Sequence, residues 1–113
     1  MKVCSLKPTL SGRVFFRRVS GLFLPANSGC YVLATFDDSI LYVGLTRNLK
    51  RRFKNHLDVE QKVSPTIVGK AFWFHYLPCE EKHLELFERS WLEQYRNVEG
   101  KFPVFNKVSS PVS

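Results

Sequence analysis

GCYVLATFDDSILYVGLTRNLKRRFKNHL, residues 29–57, carries the deciding pattern: two short apolar runs joined by a polar turn, then a segment crowded with arginine and lysine. Gly29-Cys30-Tyr31 opens a run that ends near Phe36, Asp37-Asp38-Ser39 reads as a turn, and Leu41-Tyr42-Val43-Gly44 returns. This predicts a β-hairpin with one tyrosine on each strand. Thr46 or Asn48 can cap the helix that follows, in which Leu49, Phe53 and Leu57 recur every four residues and mark a buried face. Arg52 and His56 share that spacing and project together along the edge of the apolar stripe.

Composition sets the frame around this stretch. With 113 residues, 44% of them hydrophobic and 14% aromatic, the chain has enough apolar surface for one ordered domain and argues against disorder. Its formal charge is +7, and Arg47, Lys50, Arg51, Arg52 and Lys54 supply most of that excess without an intervening acid. Charge concentrated on one helix is the footprint of a surface that meets a polyanion, although a solvated basic helix has the same look. Cys4, Cys30 and Cys79 are widely spaced and include no CxxC pair, so they predict reduced thiols, with neither a disulfide framework nor a cysteine zinc site. No signal-peptide core and no apolar run near the length of a membrane span is present, and the chain reads as soluble, cytoplasmic and without a membrane partner.

Outside the central stretch the signals vary in strength. Residues 1–27 are broken by Pro8, Gly12, Gly21 and Pro25; Phe15, Val19 and Leu22 fit a helical stripe and a strand about equally, and an extension packing on the domain is expected. Asp58 to Lys70 reads as a loop or short helix able to carry substrate contacts. Ala71 to Leu77 is an aromatic run ended by Pro78 and predicts a third strand, central or well covered, with His75 as a hydrogen-bonded core residue. Glu80 to about Asn97 predicts a second long helix with an apolar stripe of Leu84, Phe87, Trp91, Leu92 and Tyr95, stopped by Gly100. Glu88 falls inside that stripe, where a carboxylate needs an arginine, a hydrogen-bond network or a metal ion; a structural salt bridge and a metal or catalytic role both fit the spacing. The expected fold is a small α/β (α+β) layer, a three-stranded mainly antiparallel sheet near 30–36, 40–45 and 71–77 flanked by helices near 48–57 and 80–97, with a frayed tail at 108–113.

Taken in order, the chain offers Gly-x-Tyr, Tyr-x-Gly, an arginine ten residues after the second tyrosine, a histidine four later, a glutamate in the C-terminal helix and Pro-x-x-Asn. This order resembles the GIY-YIG nuclease superfamily. Gly29-Cys30-Tyr31 looks like the first signature and Tyr42-Val43-Gly44 like the second, with Cys30 and Val43 in place of the usual isoleucines at apolar strand positions. Arg52, His56, Glu88 and Asn106 match the family's arginine, histidine, metal-binding glutamate and closing asparagine. The resemblance covers residues 28–107.

The resemblance implies a metal-dependent endonuclease that hydrolyses DNA and leaves a 5′-phosphate and a 3′-hydroxyl. Tyr31, Tyr42, Arg52, His56 and Glu88 would be catalytic, and Arg47, Lys50, Arg51, Lys54 and Asn106 would contact DNA. A single glutamate, Glu88, is a thin ligand shell that suits Mg²⁺ (or Mn²⁺), which keeps several waters. Arg52 offers a planar fork to a phosphate oxygen, and Tyr31 is the favoured base if neighbouring positive charge draws its pKa down, with Tyr42 second. All five catalytic candidates are then expected around one pocket. The rival reading is a non-catalytic nucleic-acid-binding module of the same fold, or a catalytic subunit needing a protein partner or homodimer for targeting.

Overall fold

The computed structural model describes residues 1–106; the tail expected to fray lies outside them. Four strands form one antiparallel sheet: β1 (Gly12–Phe15), β2 (Gly29–Ala34), β3 (Ile40–Thr46) and β4 (Trp73–Pro78), in the order β1-β4-β2-β3. The helices are α1 (Leu49–Leu57), α2 (Glu60–Val63) and α3 (Leu84–Glu99). The expected hairpin is β2–β3, its turn closed by the Asp38 amide donating to the Thr35 carbonyl at 2.9 Å, with Asp38 at φ 66°. Asp38 Oδ1 also accepts from His75 Nε2 at 2.9 Å, giving that histidine the hydrogen-bonded core role expected of it.

The sheet has four strands where three were expected. β1 lies in the stretch that fitted helix and strand equally, is only four residues long, and pairs with β4 through Gly12–Tyr76 and Phe15–Trp73. A short edge strand half open to solvent has too weak an alternation to declare itself. β4 therefore sits between β1 and β2, central as its two-sided aromatic content predicted. The second long helix begins later than expected, at Leu84, preceded by a 3₁₀ turn over Glu81–His83, and ends at Gly100 with φ 76°, the left-handed stop that glycine permits.

Strand alternation divides the core into two layers. Cys30, Val32 and Ala34 of β2 face α3 and pack with Val43, Leu84, Trp91 and Tyr95; Tyr31 and Leu33 face the other way, with Leu49 and Phe53 of α1 and Phe74 of β4. A bulge between Leu33 and Ala34 shifts the register, so Tyr42 pairs with Leu33 while Ile40 turns to the α3 side. Residues 1–27 add to both layers, Val3 and Leu6 under α3 and Phe16 and Leu24 under α1. Trp91 is fully buried with its indole N–H donating to the Pro8 carbonyl at 3.0 Å, and burial of such a side chain stabilises the fold by about 1.5–3 kcal/mol. All three cysteines are free. No helix among the described residues is long and apolar enough to cross a membrane.

Candidate active site

The local cause of the site is the turn from β3 into α1. Thr46 accepts the Asn48 amide at 3.0 Å, and the Asn48 side chain caps α1 by accepting from the Arg51 amide at 3.0 Å. The helix then starts in a phase that buries Leu49 and Phe53 and swings Arg52 and His56 toward the tyrosines. His56 Nε2 lies 2.6 Å from the Tyr31 hydroxyl, and Arg52 Nε–H donates to the same oxygen at 3.3 Å. Tyr42 stands close enough to both Arg52 and Tyr31 to act on their protonation. The two phenol rings are 6.0 Å apart between centroids, and Tyr42 and His56 meet edge to face at 5.2 Å.

Gly44 makes this approach possible. It pairs with Tyr31 across the hairpin, and a Cβ there would stand 2.5 Å from the Tyr31 ring and 2.8 Å from Tyr42. The phenols occupy the space that any other residue would claim, a physical reason for glycine at this position of the second signature.

Burial decides the protonation states. Burial first, then the charges of Lys62 and Arg52, lower the His56 pKa to about 3, so its imidazole is neutral at pH 7 and Nε2 can accept the Tyr31 proton. Burial and then Tyr42 push Tyr31 well above the usual phenol value, against the opposing hydrogen bond and charge of Arg52. Tyr31 thus keeps its proton in this structure, and positive charge at Arg52 does not draw its pKa below 10 as a simple phenolate base would need. Burial works against the charge on Arg52, but its contacts with Tyr31 and then Tyr42 outweigh it and hold the guanidinium protonated.

Lys62, which no spacing in the sequence marks, also stands at Tyr42. It stands on α2, which folds back after α1, and its Nζ lies 4.4 Å from the centre of the Tyr42 ring. The polar composition of residues 58–70 marks a loop able to contact substrate, but no local pattern shows which of its residues the reversal returns to the site.

The other candidates divide. Arg51 and Lys54 are exposed on the outer side of α1 and Lys50 is half-buried, while Arg47 pairs with Glu81 at 3.7 Å. Asn106, expected as a DNA contact, is engaged with the sheet in this structure. Its side-chain carbonyl accepts from the Val43 amide at 2.8 Å and its NH₂ donates to the Val43 carbonyl at 2.9 Å, so it clamps the outer edge of β3. Both ends of the buried amide are engaged with backbone, the strand-like pairing that leaves little for a phosphate.

Glu88 stands apart. It lies on α3, against the sheet face opposite Tyr31, and forms no hydrogen bond or ion pair with Tyr31, Arg52 or His56. Its carboxyl is half-buried; burial first and Glu85 second raise its pKa, opposed by Arg89. The structure thus brings Tyr31, Tyr42, Arg52 and His56 together and leaves Glu88, around which all were expected to gather, outside their contacts. Among the described residues no group of three or more histidine, cysteine, aspartate or glutamate side chains could hold a metal ion. A lone carboxylate raised by burial and a neighbouring acid still fits a water-rich divalent ion, whose charge would relieve both effects.

The profile of the family described as the GIY-YIG catalytic domain matches residues 27–101, from the start of β2 through the whole of α3. The chain belongs to the GIY-YIG catalytic domain family. It is also similar to three proteins named UvrABC system protein C. That of Mesoplasma florum is 31% identical over 75 residues, 65% of this chain and 13% of that protein. That of Helicobacter hepaticus is 46% identical over 39 residues, 34% of this chain and 6% of that protein. That of Synechococcus sp. (strain CC9902) is 39% identical over 44 residues, 39% of this chain and 7% of that protein. The chain therefore spans only a small fraction of the length of these relatives.

Proposed function

We propose that this GIY-YIG domain is a metal-assisted endonuclease that hydrolyses DNA phosphodiester bonds. The observation that carries the reading is the Tyr31 hydroxyl held between His56 Nε2 and Arg52 Nε. A phenol placed in this way need never exist as a free phenolate: it can pass its proton to neutral His56 as it takes one from an attacking water. The water oxygen then bonds to phosphorus, the bond to the 3′ oxygen breaks, that oxygen takes a proton from solvent water, and the products are a 5′-phosphate and a 3′-hydroxyl. Arg52 remains charged throughout and neutralises the phosphate oxygens as negative charge grows. Glu88 is the residue that would hold Mg²⁺ or Mn²⁺, which when bound polarises the phosphate and eases the leaving of the 3′ oxygen. Arg51, Lys50 and Lys54 on α1 supply phosphate contacts that position the duplex without reading its bases.

Two observations favour a second reading, a nucleic-acid-binding module without catalysis: both phenols are almost wholly buried, and Glu88 lies outside their contact network. The relatives suggest a third, a catalytic module targeted by partners, since the matched region is a minor part of each protein named for the UvrABC system.

Nicking of supercoiled plasmid with Mg²⁺ or Mn²⁺, beside an EDTA control and the Tyr31→Phe and Arg52→Ala variants, decides among these. Metal-dependent nicking that falls by about a hundredfold or more in each variant is expected. DNA binding without nicking by the folded parent would put the binding module in front, and nicking restored by an added partner would support the third reading.

A further inference from the structure

Resting on the nucleic-acid reading above, we propose that Lys62 is the second arm of the phosphate site, its ammonium and the Arg52 guanidinium gripping one DNA phosphate over the Tyr42 ring. Lys62 reaches this position by chain reversal. The Val59 amide donates to the His56 carbonyl at 3.2 Å and the Lys62 amide to the Val59 carbonyl at 3.0 Å, so the chain turns back as soon as α1 ends. The Lys62 ammonium then lies 4.4 Å from the centre of Tyr42 and 5.6 Å from that of Phe105, two aromatic faces that fix the direction of a flexible stem.

The energetics ask for an anion. Lys62 and Arg52 are both half-buried, and among the described residues neither has a carboxylate within salt-bridge distance. Burial and the charge of Arg52 both weaken the protonated form of Lys62. Two cations partly stripped of water on one side of a domain are costly unless a negative group joins them. A phosphate diester supplies it: a planar fork takes two oxygens and a point charge takes the third direction, so the two residue types are complementary rather than redundant. A lysine that merely laid its stem on Tyr42 would gain the ring contact without needing to stand beside a second cation.

Plasmid cleavage under single turnover and inorganic phosphate titration, followed by NMR at the Lys62 ε-methylene, test the assignment on the full chain. Lys62→Met should slow cleavage about a hundredfold, Lys62→Arg should recover most of the rate, and Lys101→Met, which removes an exposed charge elsewhere, should stay within about twofold of the parent. Phosphate should shift the Lys62 resonance, and Arg52→Ala should abolish that shift. Cleavage by Lys62→Met within about twofold of the parent overturns the proposal, as does an equal loss in Lys62→Arg, which would mark a packing role. A parent without nuclease activity would remove the endonuclease reading alone: the phosphate shift, present and dependent on Arg52, would still support the clamp, and its absence would overturn it.

Discussion

Tyr31 Oη and His56 Nε2, twenty-five residues apart in sequence, are 2.6 Å apart in the fold. The contact joins the start of β2 to the last turn of α1, so the distance between hairpin and helix is set at the same place where a proton can move.

The neutrality of His56 predicts an acid-sensitive fold. Its folded pKa of about 3 lies below the ordinary value of 6.5, so the unfolded chain binds the extra proton across that window. The resulting stability is complete above pH 6.5 and is lost as pH falls toward 3, by at most about 1.4 kcal/mol per pH unit. Urea melts of the parent and of His56→Gln at pH 7, 5.5 and 4.5 should converge as pH falls. Parallel curves would show that His56 is not the group that titrates.

Gly44→Ala should destabilise the domain by about 1–3 kcal/mol, because its Cβ would overlap the Tyr31 and Tyr42 rings and force them apart. Displaced phenols should also lose cleavage in protein that remains folded. Thermal melting alongside plasmid nicking separates the two effects, and a variant with an unchanged melting point would contradict the packing described for the site.

Glu88→Gln distinguishes ligand from structural partner. Burial and Glu85 disfavour the charged carboxylate, so the neutral amide should hold or raise the melting temperature at pH 7, while cleavage collapses and DNA binding persists. Full cleavage by the folded variant would remove Glu88 from the mechanism.

DNA binding should be salt-sensitive and should survive EDTA, since the basic face of α1 meets phosphates with or without a metal. Replacing Lys50 and Arg51 together should weaken binding and reduce the slope of log K against log salt by roughly 2. Fluorescence anisotropy across a salt series measures it; an unchanged slope would place the interface elsewhere.

Several features were legible in the chain because they are local. The hairpin, the Asn48 cap, the shared face of Arg52 and His56 and the Gly100 stop each rest on residues within a turn or two of one another, where strand and helix periods speak directly. Periodicity states which side of its own element a residue occupies. It does not state which element will face that side, and this is what the tertiary structure decided. β1 acquires its identity from β4, sixty residues away; Asn106 becomes a clamp because the chain returns along β3; Lys62 joins the site because α2 reverses direction. Glu88 is the clearest case. Its place in the α3 stripe correctly announced a half-buried carboxylate, but only the packing of α3 on the Cys30 face of the sheet set it opposite the tyrosines. Long-range pairing is chosen by how whole faces exclude water, and that choice is collective, so it cannot be read from the spacing within any one segment.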